Sequence, residues 1–199
     1  MSKTRTRRMV GQLPSNVLAA YDKVIHHQLS KNYIEPVYVD DVNKGHYLPH
    51  RAVKCPESAS SPIRIVYDCS AKLGNDFLSL NSCLDTGPLL LNDLTAILMR
   101  FRANPVALFS DIEKAFLQIR LAEDDKQYTK FLWLFDPTDI NSPFVTYQFT
   151  SVLFGAMCSP FILNAAIKTL MNNHNNNDSA SVRDLQHNIY VDDVVTVVI

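Results

Sequence analysis

The sequence predicts a mixed fold of helices and antiparallel strands, and two observations support this prediction. Apolar residues recur at helical spacing in three segments, namely 15–29, 91–102 and the stretch that begins at Pro160. Short apolar runs rich in β-branched and aromatic residues lie between these segments and at the end of the chain. Turn signals separate the runs, so we expect them to pair as antiparallel strands.

Composition and charge narrow the class of protein. Of the 199 residues, 47% are hydrophobic, which suits a folded globular protein. The apolar runs are far shorter than the roughly 20 residues that a membrane helix needs, so no membrane partner is expected. The net charge of −1 argues against a free-standing nucleic-acid binder, because such proteins neutralise phosphates with many Lys and Arg side chains.

The N-terminal residues 1–8 carry a basic cluster. We interpret it as a solvated, disordered tail in preference to a nucleic-acid-binding arm. No apolar stretch follows the cluster, so a secretory signal is not supported and an intracellular protein is expected. The cysteines lie far apart without metal-ligand spacing, and we expect reduced thiols at all of them: Cys55, Cys69, Cys83 and Cys158.

The first helix is predicted at residues 15–29, where Ser15 or Asn16 is placed to cap its start. After it, the pattern changes to short apolar runs over residues 47–67, around a Pro- and Ser-rich connection at 56–62. This change in periodicity predicts a β-hairpin with a flexible tip.

The second helix is predicted at residues 91–102, and Pro105 ends it. The short apolar run 106–109 follows directly and predicts a buried strand. Because this run leads straight into Ser110 and Asp111, we expect the carboxylate of Asp111 to lie at a strand end.

The second half of the chain continues the alternation of strands and helices. Residues 131–135 and 144–149 predict paired strands joined by a loop. Ser159 is placed to cap the third helix, with Pro160 at its first helical position. The Asn-rich residues 174–181 cannot bury enough apolar surface to order themselves, which predicts a loop.

The last segment, residues 188–199, predicts a β-hairpin with Asp192 and Asp193 at its tip. Adjacent carboxylates repel each other unless a cation lies between them, and flanking valine strands raise that cost. With Asp111 as a third ligand, the oxygens suit two Mg²⁺ ions about 4 Å apart, or Mn²⁺ in their place. Taken alone, however, an Asp-Asp pair in a turn is more often a solvated turn than a metal site.

The chain resembles reverse transcriptases, most closely those of the Bel/Pao group of LTR retrotransposons. The catalytic hairpin of the family is matched by Y-V-D-D at 190–193, and its first catalytic segment by F-S-D-I-E-K-A-F-L-Q-I at 109–119. Three further segments match in the same order along the chain: 47–53, 64–72 and 152–161. The resemblance implies an RNA-directed DNA polymerase that adds deoxynucleotides to a primer 3′-hydroxyl by two-metal phosphoryl transfer.

The resemblance assigns the catalytic and metal-binding residues. Asp111 and Asp192 would ligate both metal ions, with Asp193 nearby and the backbone carbonyl of Ile112 helping to hold the nucleotide-bound ion. Mg²⁺ is the implied cofactor, and positioning of the reactants accounts for much of the remaining catalysis.

The resemblance also implies nucleotide contacts after the first aspartate. Backbone N–H groups around Glu113, Lys114 and Ala115 would face the triphosphate of the incoming nucleotide. Phe116 corresponds to the bulky aromatic that fills the space of a ribose 2′-hydroxyl, so deoxynucleoside triphosphates are the expected substrates. Without the neighbouring motif, Phe116 could equally be an ordinary core aromatic.

Four further nucleotide-binding residues come from the resemblance to the fingers and the template-supporting segment. Arg64 corresponds to an arginine that contacts the triphosphate, and its planar guanidinium suits phosphate oxygens. Lys54 is near a second phosphate contact, although that position could fall on Cys55. Phe154 stands where some retroviral enzymes have glutamine, and Gly155 would allow the backbone to approach a base or sugar closely.

The resemblance implies a right hand with fingers at 1–86 and 118–158 and palm at 87–117 and 159–199. The palm would be an antiparallel sheet backed by the helices that start near Leu91 and Pro160, which is an α+β fold. The thumb and the ribonuclease H domain, normally part of the same polyprotein, are expected to be absent from this chain. The implied partners are an RNA or DNA template with its primer. A polypeptide ending so soon after Asp193 is expected to be weakly active or inactive on its own.

Two other functions remain open from the sequence. The chain could be an inactive retroelement remnant that acts at most as an RNA- or protein-binding module, although a mere binding module would have no need to keep all three aspartates. It could also be an unrelated metal-dependent hydrolase. That reading lacks support, because the histidines are scattered and no further acidic cluster accompanies the site.

Overall fold

The computed structural model describes residues 2–39, 44–54, 63–103, 105–173 and 180–197. The chain divides into two compact units. Unit 1 comprises Met1–Leu84 and Arg120–Ala156, and unit 2 comprises Asp85–Ile119 and Met157–Ile199. The identification of such units as fingers and palm stays a prediction.

The described chain contains helices and strands throughout its length. They are α1 (Ser2–Gln12), α2 (Ser15–Ser30), β1 (Ile34–Pro36), β2 (His50–Lys54), β3 (Ile63–Tyr67), α3 (Leu80–Cys83), α4 (Leu94–Phe101), β4 (Ala107–Asp111), α5 (Glu123–Lys126), β5 (Phe131–Leu134), β6 (Phe144–Phe149), α6 (Ser159–Asn173), α7 (Ala180–Asn188), β7 (Ile189–Tyr190) and β8 (Asp193–Val197). Short 3₁₀ helices cover Ala115–Gln118 and Gln127–Thr129.

The N-terminus of unit 1 is helical, so the interpretation of residues 1–8 as a disordered tail is wrong. α1 packs against β5 and buries Thr6 and Val10. This burial supplies the stabilising contacts that a short basic helix lacks in isolation. The next helix, α2, covers the predicted range, but neither Ser15 nor Asn16 caps it. Pro14 occupies the N-cap position, without a side-chain hydrogen bond.

The core of unit 1 is aromatic and forms around a buried histidine. The Tyr21 ring stacks on Trp133 with centroids 4.7 Å apart, and Phe131 meets the His50 ring edge-on at 5.4 Å. His50 accepts a hydrogen bond from the Tyr21 hydroxyl at Nδ1 and donates one from Nε2 to the Leu132 carbonyl at 2.9 Å. Burial lowers the pKa of His50 to about 4, so the ring is neutral at pH 7.

Two antiparallel sheets in unit 1 surround this core. β1, β6 and β5 form one sheet in that order, which confirms the predicted pairing of residues 131–135 with 144–149. β2 pairs with β3 from His50–Tyr67 to Lys54–Ile63, as the predicted hairpin requires. The predicted flexible tip at 56–62 lies outside the described residues.

In unit 2, α4 starts later than predicted because the side chain of Asp93 caps it. The Asp93 carboxylate accepts hydrogen bonds from the backbone N–H groups of Thr95 and Ala96, so the helix begins at Leu94 and not at Leu91. At the other predicted helix, Ser159 already lies inside α6 and is not its cap. The carbonyl of Cys158 accepts the hydrogen bond from Ile162 N, at 3.0 Å.

The prediction of a buried strand before Asp111 is wrong in one respect. β4 forms, and Asp111 is its last residue, but all five of its residues are exposed. The sheet order is β4-β8-β7, so β4 lies at an edge, whereas α4 and α7 pack against the central strand β8. A short apolar run predicts a strand but does not determine which position that strand takes in its sheet.

The predicted loop at 174–181 is wrong at its end, because α7 begins at Ala180; residues 174–179 lie outside the described residues. Cys69, Cys83 and Cys158 form no disulfide among the described residues, in agreement with the predicted reduced thiols, and Cys55 lies outside the described residues. Among the described helices, none has the length and apolar character needed to cross a membrane.

Candidate active site

Three aspartates of unit 2 meet at one end of its sheet. β7 and β8 form a hairpin in which Tyr190 pairs with Asp193. The turn therefore consists of Val191 and Asp192, whereas the sequence predicted that both aspartates lie at the tip. On its other edge, β8 pairs with β4 in a register that sets Asp193 opposite Asp111. Strand pairing thus brings together carboxylates that lie far apart in the sequence.

The turn between the strands has an unusual backbone. Val191 has φ of 57°, a left-handed conformation that β-branched residues rarely adopt. Next to it, the Asp192 carbonyl accepts a hydrogen bond from Ile112 N at 3.0 Å. This bond joins the turn directly to the residue that follows Asp111. Strained backbone held by its surroundings is a frequent feature of functional sites.

The three carboxylates form a compact acidic group. One ligand oxygen from each of Asp111, Asp192 and Asp193 lies within 4.8 Å of the others. Asp111 is exposed and the other two are half-buried. Burial raises the pKa of Asp192, and the negative charges of Asp111 and Asp193 raise it further. A divalent cation would relieve this repulsion, and an all-oxygen donor set suits Mg²⁺ or Mn²⁺.

Side chains that the sequence analysis missed hold the hairpin in place. Asn92 donates to the carbonyls of Gln186 and Ile189 at 2.8 and 2.9 Å. Arg100 Nε donates to Asn188 Oδ1 at 2.9 Å. Asp184 accepts hydrogen bonds from Asn188 and from the Thr196 hydroxyl of β8.

The missed positioning residues all depend on α7. This helix begins in an Asn-rich region without a helical apolar pattern. The sequence therefore did not indicate the helix or the hydrogen bonds that depend on it.

A cleft of about 250 Å³ in unit 2 is lined mainly by α6 and α7 and includes none of the three aspartates among its lining residues.

The segment after Asp111 is a tight turn in which some backbone groups already form hydrogen bonds with each other. Lys114 is left-handed, with φ of 52°. Ala115 N donates to the Ile112 carbonyl at 3.2 Å, so that N–H and that carbonyl are already engaged with each other. Phe116 follows in the 3₁₀ helix and is only 7% exposed.

The remaining predicted nucleotide-binding residues lie in unit 1. Arg64 on β3 and Lys54 on β2 are exposed. Phe154 is 52% exposed. Gly155 has φ of 100°, and a Cβ there would lie 3.1 Å from the Tyr67 carbonyl oxygen. In this structure, glycine is therefore needed because the backbone at position 155 lies close to the backbone of β3.

Comparison with known proteins decides the family. The family model described as reverse transcriptase (RNA-dependent DNA polymerase) matches residues 68–198, which include all three aspartates. The chain belongs to the reverse transcriptase family. This match confirms the family that the motifs indicated. It does not show whether the chain belongs to the Bel/Pao group within that family. No curated protein matches the chain significantly.

Solved structures confirm the fold of this reverse transcriptase chain. It is similar to the foamy viral protease-reverse transcriptase in complex with double-stranded DNA, with a TM-score of 0.63, 15% identity and 90% of this chain covered. Two crystal structures of the prototype foamy virus protease-reverse transcriptase, one native and one of a mutant, give TM-scores of 0.58 and 0.62 at 18% and 17% identity, over 88% and 92% of this chain. The α+β fingers-and-palm class with antiparallel sheets is confirmed. The chain spans only 26%, 19% and 20% of those three chains.

Proposed function

We propose that this chain is the catalytic part of an RNA-directed DNA polymerase, which adds deoxynucleotides to a primer 3′-hydroxyl. The observation that carries the proposal is the convergence of Asp111, Asp192 and Asp193, whose ligand oxygens lie within 4.8 Å of one another. Membership of the reverse transcriptase family supports the same reaction. We further propose that unit 1 is the fingers and unit 2 the palm.

Asp111, Asp192 and Asp193 would hold Mg²⁺, and the carbonyl of Ile112 would assist. When bound, two such ions would activate the primer hydroxyl and neutralise the triphosphate charge. The protein's own contribution is to hold three carboxylates in a fixed group. Strand register fixes Asp111 against Asp193, and the hydrogen bond from Ile112 N fixes the backbone of Asp192. A preformed group of this kind lowers the entropic cost of orienting the reactants.

The same proposal assigns the nucleotide contacts. The exposed guanidinium of Arg64 is available to the phosphate oxygens of a deoxynucleoside triphosphate, and Lys54 offers a second cation. Phe116 would exclude a ribose 2′-hydroxyl, and its mostly buried ring suits a rigid steric wall. Backbone N–H groups of Glu113 and Lys114 would meet the triphosphate.

Ala115, Phe154 and Gly155 are the remaining proposed nucleotide contacts. The N–H of Ala115 already donates within its own turn, so its contribution requires that hydrogen bond to be shared or broken. At the template-supporting segment, the exposed ring of Phe154 offers an apolar surface to a base. Gly155 would allow the backbone to approach a base or sugar closely.

We infer that the chain comes from an LTR retrotransposon of the Bel/Pao group. The sequence Y-V-D-D at 190–193, the segment at 109–119 and Phe154 in place of glutamine support this origin. An RNA or DNA template with its primer is the proposed partner. The foamy viral structure in complex with double-stranded DNA supports this class of ligand.

Primer extension on an RNA template tests the polymerase proposal. The polypeptide that carries this chain at its natural length would be assayed with Mg²⁺ and deoxynucleotides, beside Asp192→Asn and the matched control Asp76→Asn, which changes an exposed aspartate outside the acidic group. We expect incorporation by the unchanged protein and by Asp76→Asn, and a loss of at least roughly 100-fold in Asp192→Asn.

Two outcomes contradict the proposal. If Asp192→Asn incorporated nucleotides as well as the unchanged protein, the carboxylate group would not be the active site. If the well-folded, unchanged protein incorporated none, an inactive retroelement remnant with an RNA- or protein-binding role would take its place.

A further inference from the structure

Asp184 of α7 joins the two ends of the β7–β8 hairpin that lie away from its turn. One oxygen of its carboxylate accepts a hydrogen bond from Asn188 Nδ2 at 2.7 Å, and the other accepts one from the Thr196 hydroxyl. Asn188 is the last residue of α7 and directly precedes β7, whereas Thr196 lies in β8. The carboxylate of Asp184 therefore closes the hairpin at its base.

The position of Asp184 does not suit a metal ligand of the acidic group. Side chains alternate between the two faces of a strand, so Thr196 lies on the face of β8 opposite to Asp193. The two residues are also three positions apart, which is roughly 10 Å along the strand. The carboxylate of Asp184 is bonded to Thr196 and so approaches the sheet from the face opposite to the Asp193 side chain. Any effect of Asp184 on the acidic group must therefore pass through the backbone of the hairpin.

The helix that carries Asp184 is itself tied to the helix that precedes β4. Arg100 of α4 donates from Nε to Oδ1 of the buried Asn188 at 2.9 Å, and from Nη2 to the His187 carbonyl at 2.5 Å. In the chain, α4 is followed by β4, which has Asp111 as its last residue. These hydrogen bonds therefore connect β8 to β4 by a second route, besides the pairing of the two strands.

This second route restrains the register of β8 against β4. Among the described strands, β4 has β8 as its only neighbour. A slip by one residue would move β8 by roughly 3.3 Å along β4, whereas a hydrogen bond tolerates a change in length of only about 0.5 Å. The hydrogen bond between Asp184 and Thr196 would therefore have to break before β8 could slip. While it is intact, Asp193 stays opposite Asp111.

We infer that Asp184 is a positioning residue of the acidic group, which holds the hairpin in the register that sets Asp193 opposite Asp111 and does not itself bind the metal. The inference rests on the proposed function in taking the acidic group to be the metal site of a polymerase.

The positioning role depends on hydrogen-bonding geometry and not on the charge of Asp184. An asparagine at this position can accept from Asn188 Nδ2 with its carbonyl oxygen and donate to the Thr196 hydroxyl with its amide. Asp184→Asn should therefore keep the role, whereas Asp184→Ala should lose it. Because alanine is the best helix former, a loss in Asp184→Ala cannot come from a weaker α7.

Hydrogen exchange of backbone amides in the chain, followed by NMR, measures the register directly. The reporter is the Ile112 N–H, which donates to the Asp192 carbonyl, and the reference is the Leu48 N–H, which donates to the Lys130 carbonyl in unit 1. In Asp184→Ala we expect roughly tenfold faster exchange at Ile112 and no change at Leu48. In Asp184→Asn the exchange at Ile112 should stay within roughly twofold of the unchanged chain.

Two further variants separate positioning from the general stability of unit 2. Thr196→Val removes the hydroxyl at nearly unchanged shape and should also speed the exchange of Ile112. The double variant with Asp184→Ala should exchange no faster than Asp184→Ala alone, because both changes remove the same hydrogen bond. The control Asn164→Ala removes a buried side chain of α6 that donates to the Pro160 carbonyl at 2.8 Å, and it should affect Ile112 far less.

Mn²⁺ binding to the same variants, measured by calorimetry, relates the register to the acidic group. We expect Asp184→Ala to bind Mn²⁺ roughly tenfold more weakly, and Asp184→Asn to bind it as the unchanged chain does. Faster exchange at Ile112 with unchanged Mn²⁺ affinity would leave Asp184 a purely structural role and would overturn the inference.

Two other results would also overturn it. Unchanged exchange at Ile112 in Asp184→Ala would show that the packing of α4 against β8 is enough to fix the register. An equal loss in Asp184→Asn and Asp184→Ala would show that the charge matters and not the hydrogen-bonding geometry. If even the unchanged chain bound no Mn²⁺, the proposed metal site would fail, whereas the exchange of Ile112 would still decide whether Asp184 fixes the register.

Discussion

Asp111 and Asp193 are direct partners in the pairing of β4 with β8. One is the last residue of its strand and the other is the first residue of its own. The acidic group therefore depends on strand register, and a shift by one residue would turn one of the two side chains to the opposite face of the sheet.

This pairing predicts that the acidic group destabilises the fold when no metal is present. Like charges directly opposite each other across two strands are unfavourable, so Asp193→Asn should raise the free energy of unfolding by about 0.5 to 1 kcal/mol in EDTA. In Mg²⁺ the unchanged chain should gain stability and the variant should gain less. Thermal unfolding with and without Mg²⁺ measures both effects, and equal Mg²⁺ stabilisation of the two proteins would contradict the prediction.

The left-handed backbone of Val191 predicts a stability gain on substitution. Val191 and Asn32 have nearly the same φ, 57° and 55°, but only asparagine tolerates this conformation readily. Val191→Asn should raise the free energy of unfolding by about 1 kcal/mol, and the reciprocal Asn32→Val should lower it by a similar amount. Urea unfolding of both variants decides this. A stability change of the same sign in both would show that backbone conformation is not the cause.

Gly155 should not accept a side chain. Its φ of 100° is a backbone conformation that alanine rarely adopts. In addition, an added Cβ would lie only 3.1 Å from the Tyr67 carbonyl oxygen. Gly155→Ala should lower the free energy of unfolding by roughly 2 kcal/mol. In Gly74→Ala the new Cβ would lie 3.5 Å from the Phe77 ring, without a left-handed backbone, and little change is expected. Equal stability of the two variants would refute this prediction.

The buried imidazole of His50 predicts a loss of stability in acid. Its folded pKa of about 4 lies below its usual 6.5, so between these values the unfolded chain binds a proton that the folded chain does not. Stability contributed by the neutral ring is complete above pH 6.5 and falls by roughly 3 kcal/mol as the pH decreases to about 4. Urea unfolding of the unchanged chain over this range should show the fall.

The matched variants for His50 separate its titration from its packing. His50→Gln should lose most of this pH dependence, although the lost ring contacts make it less stable at about pH 8. His26→Gln changes an exposed histidine and should keep the full dependence. A His50→Gln variant with an unchanged pH profile would assign the titration to another group.

Periodicity and turn chemistry were sufficient to predict much of the fold. The hairpin of β2 and β3, the pairing of β5 with β6 and the position of Asp111 at a strand end were all predicted from local patterns. These features depend on residues that are close together in the sequence, where side-chain alternation and turn signals act directly.

The features that sequence analysis missed depend on tertiary contacts. α1 is a helix because Thr6 and Val10 are buried in unit 1, which a basic segment does not reveal. The exposed position of β4 follows from its place at the sheet edge. At the site, the acidic residues were predicted from their motifs, but the left-handed Val191 was not, because valine gives no signal for that conformation.

The most direct test of the central claim is whether the three aspartates bind divalent metal in this chain. Titration with Mn²⁺ by calorimetry needs no template, primer or further domain. Asp192→Asn should weaken Mn²⁺ binding at least roughly tenfold, and Asp76→Asn should leave it unchanged. Equal Mn²⁺ affinity in Asp192→Asn and the unchanged chain would show that Asp111, Asp192 and Asp193 do not form a metal site.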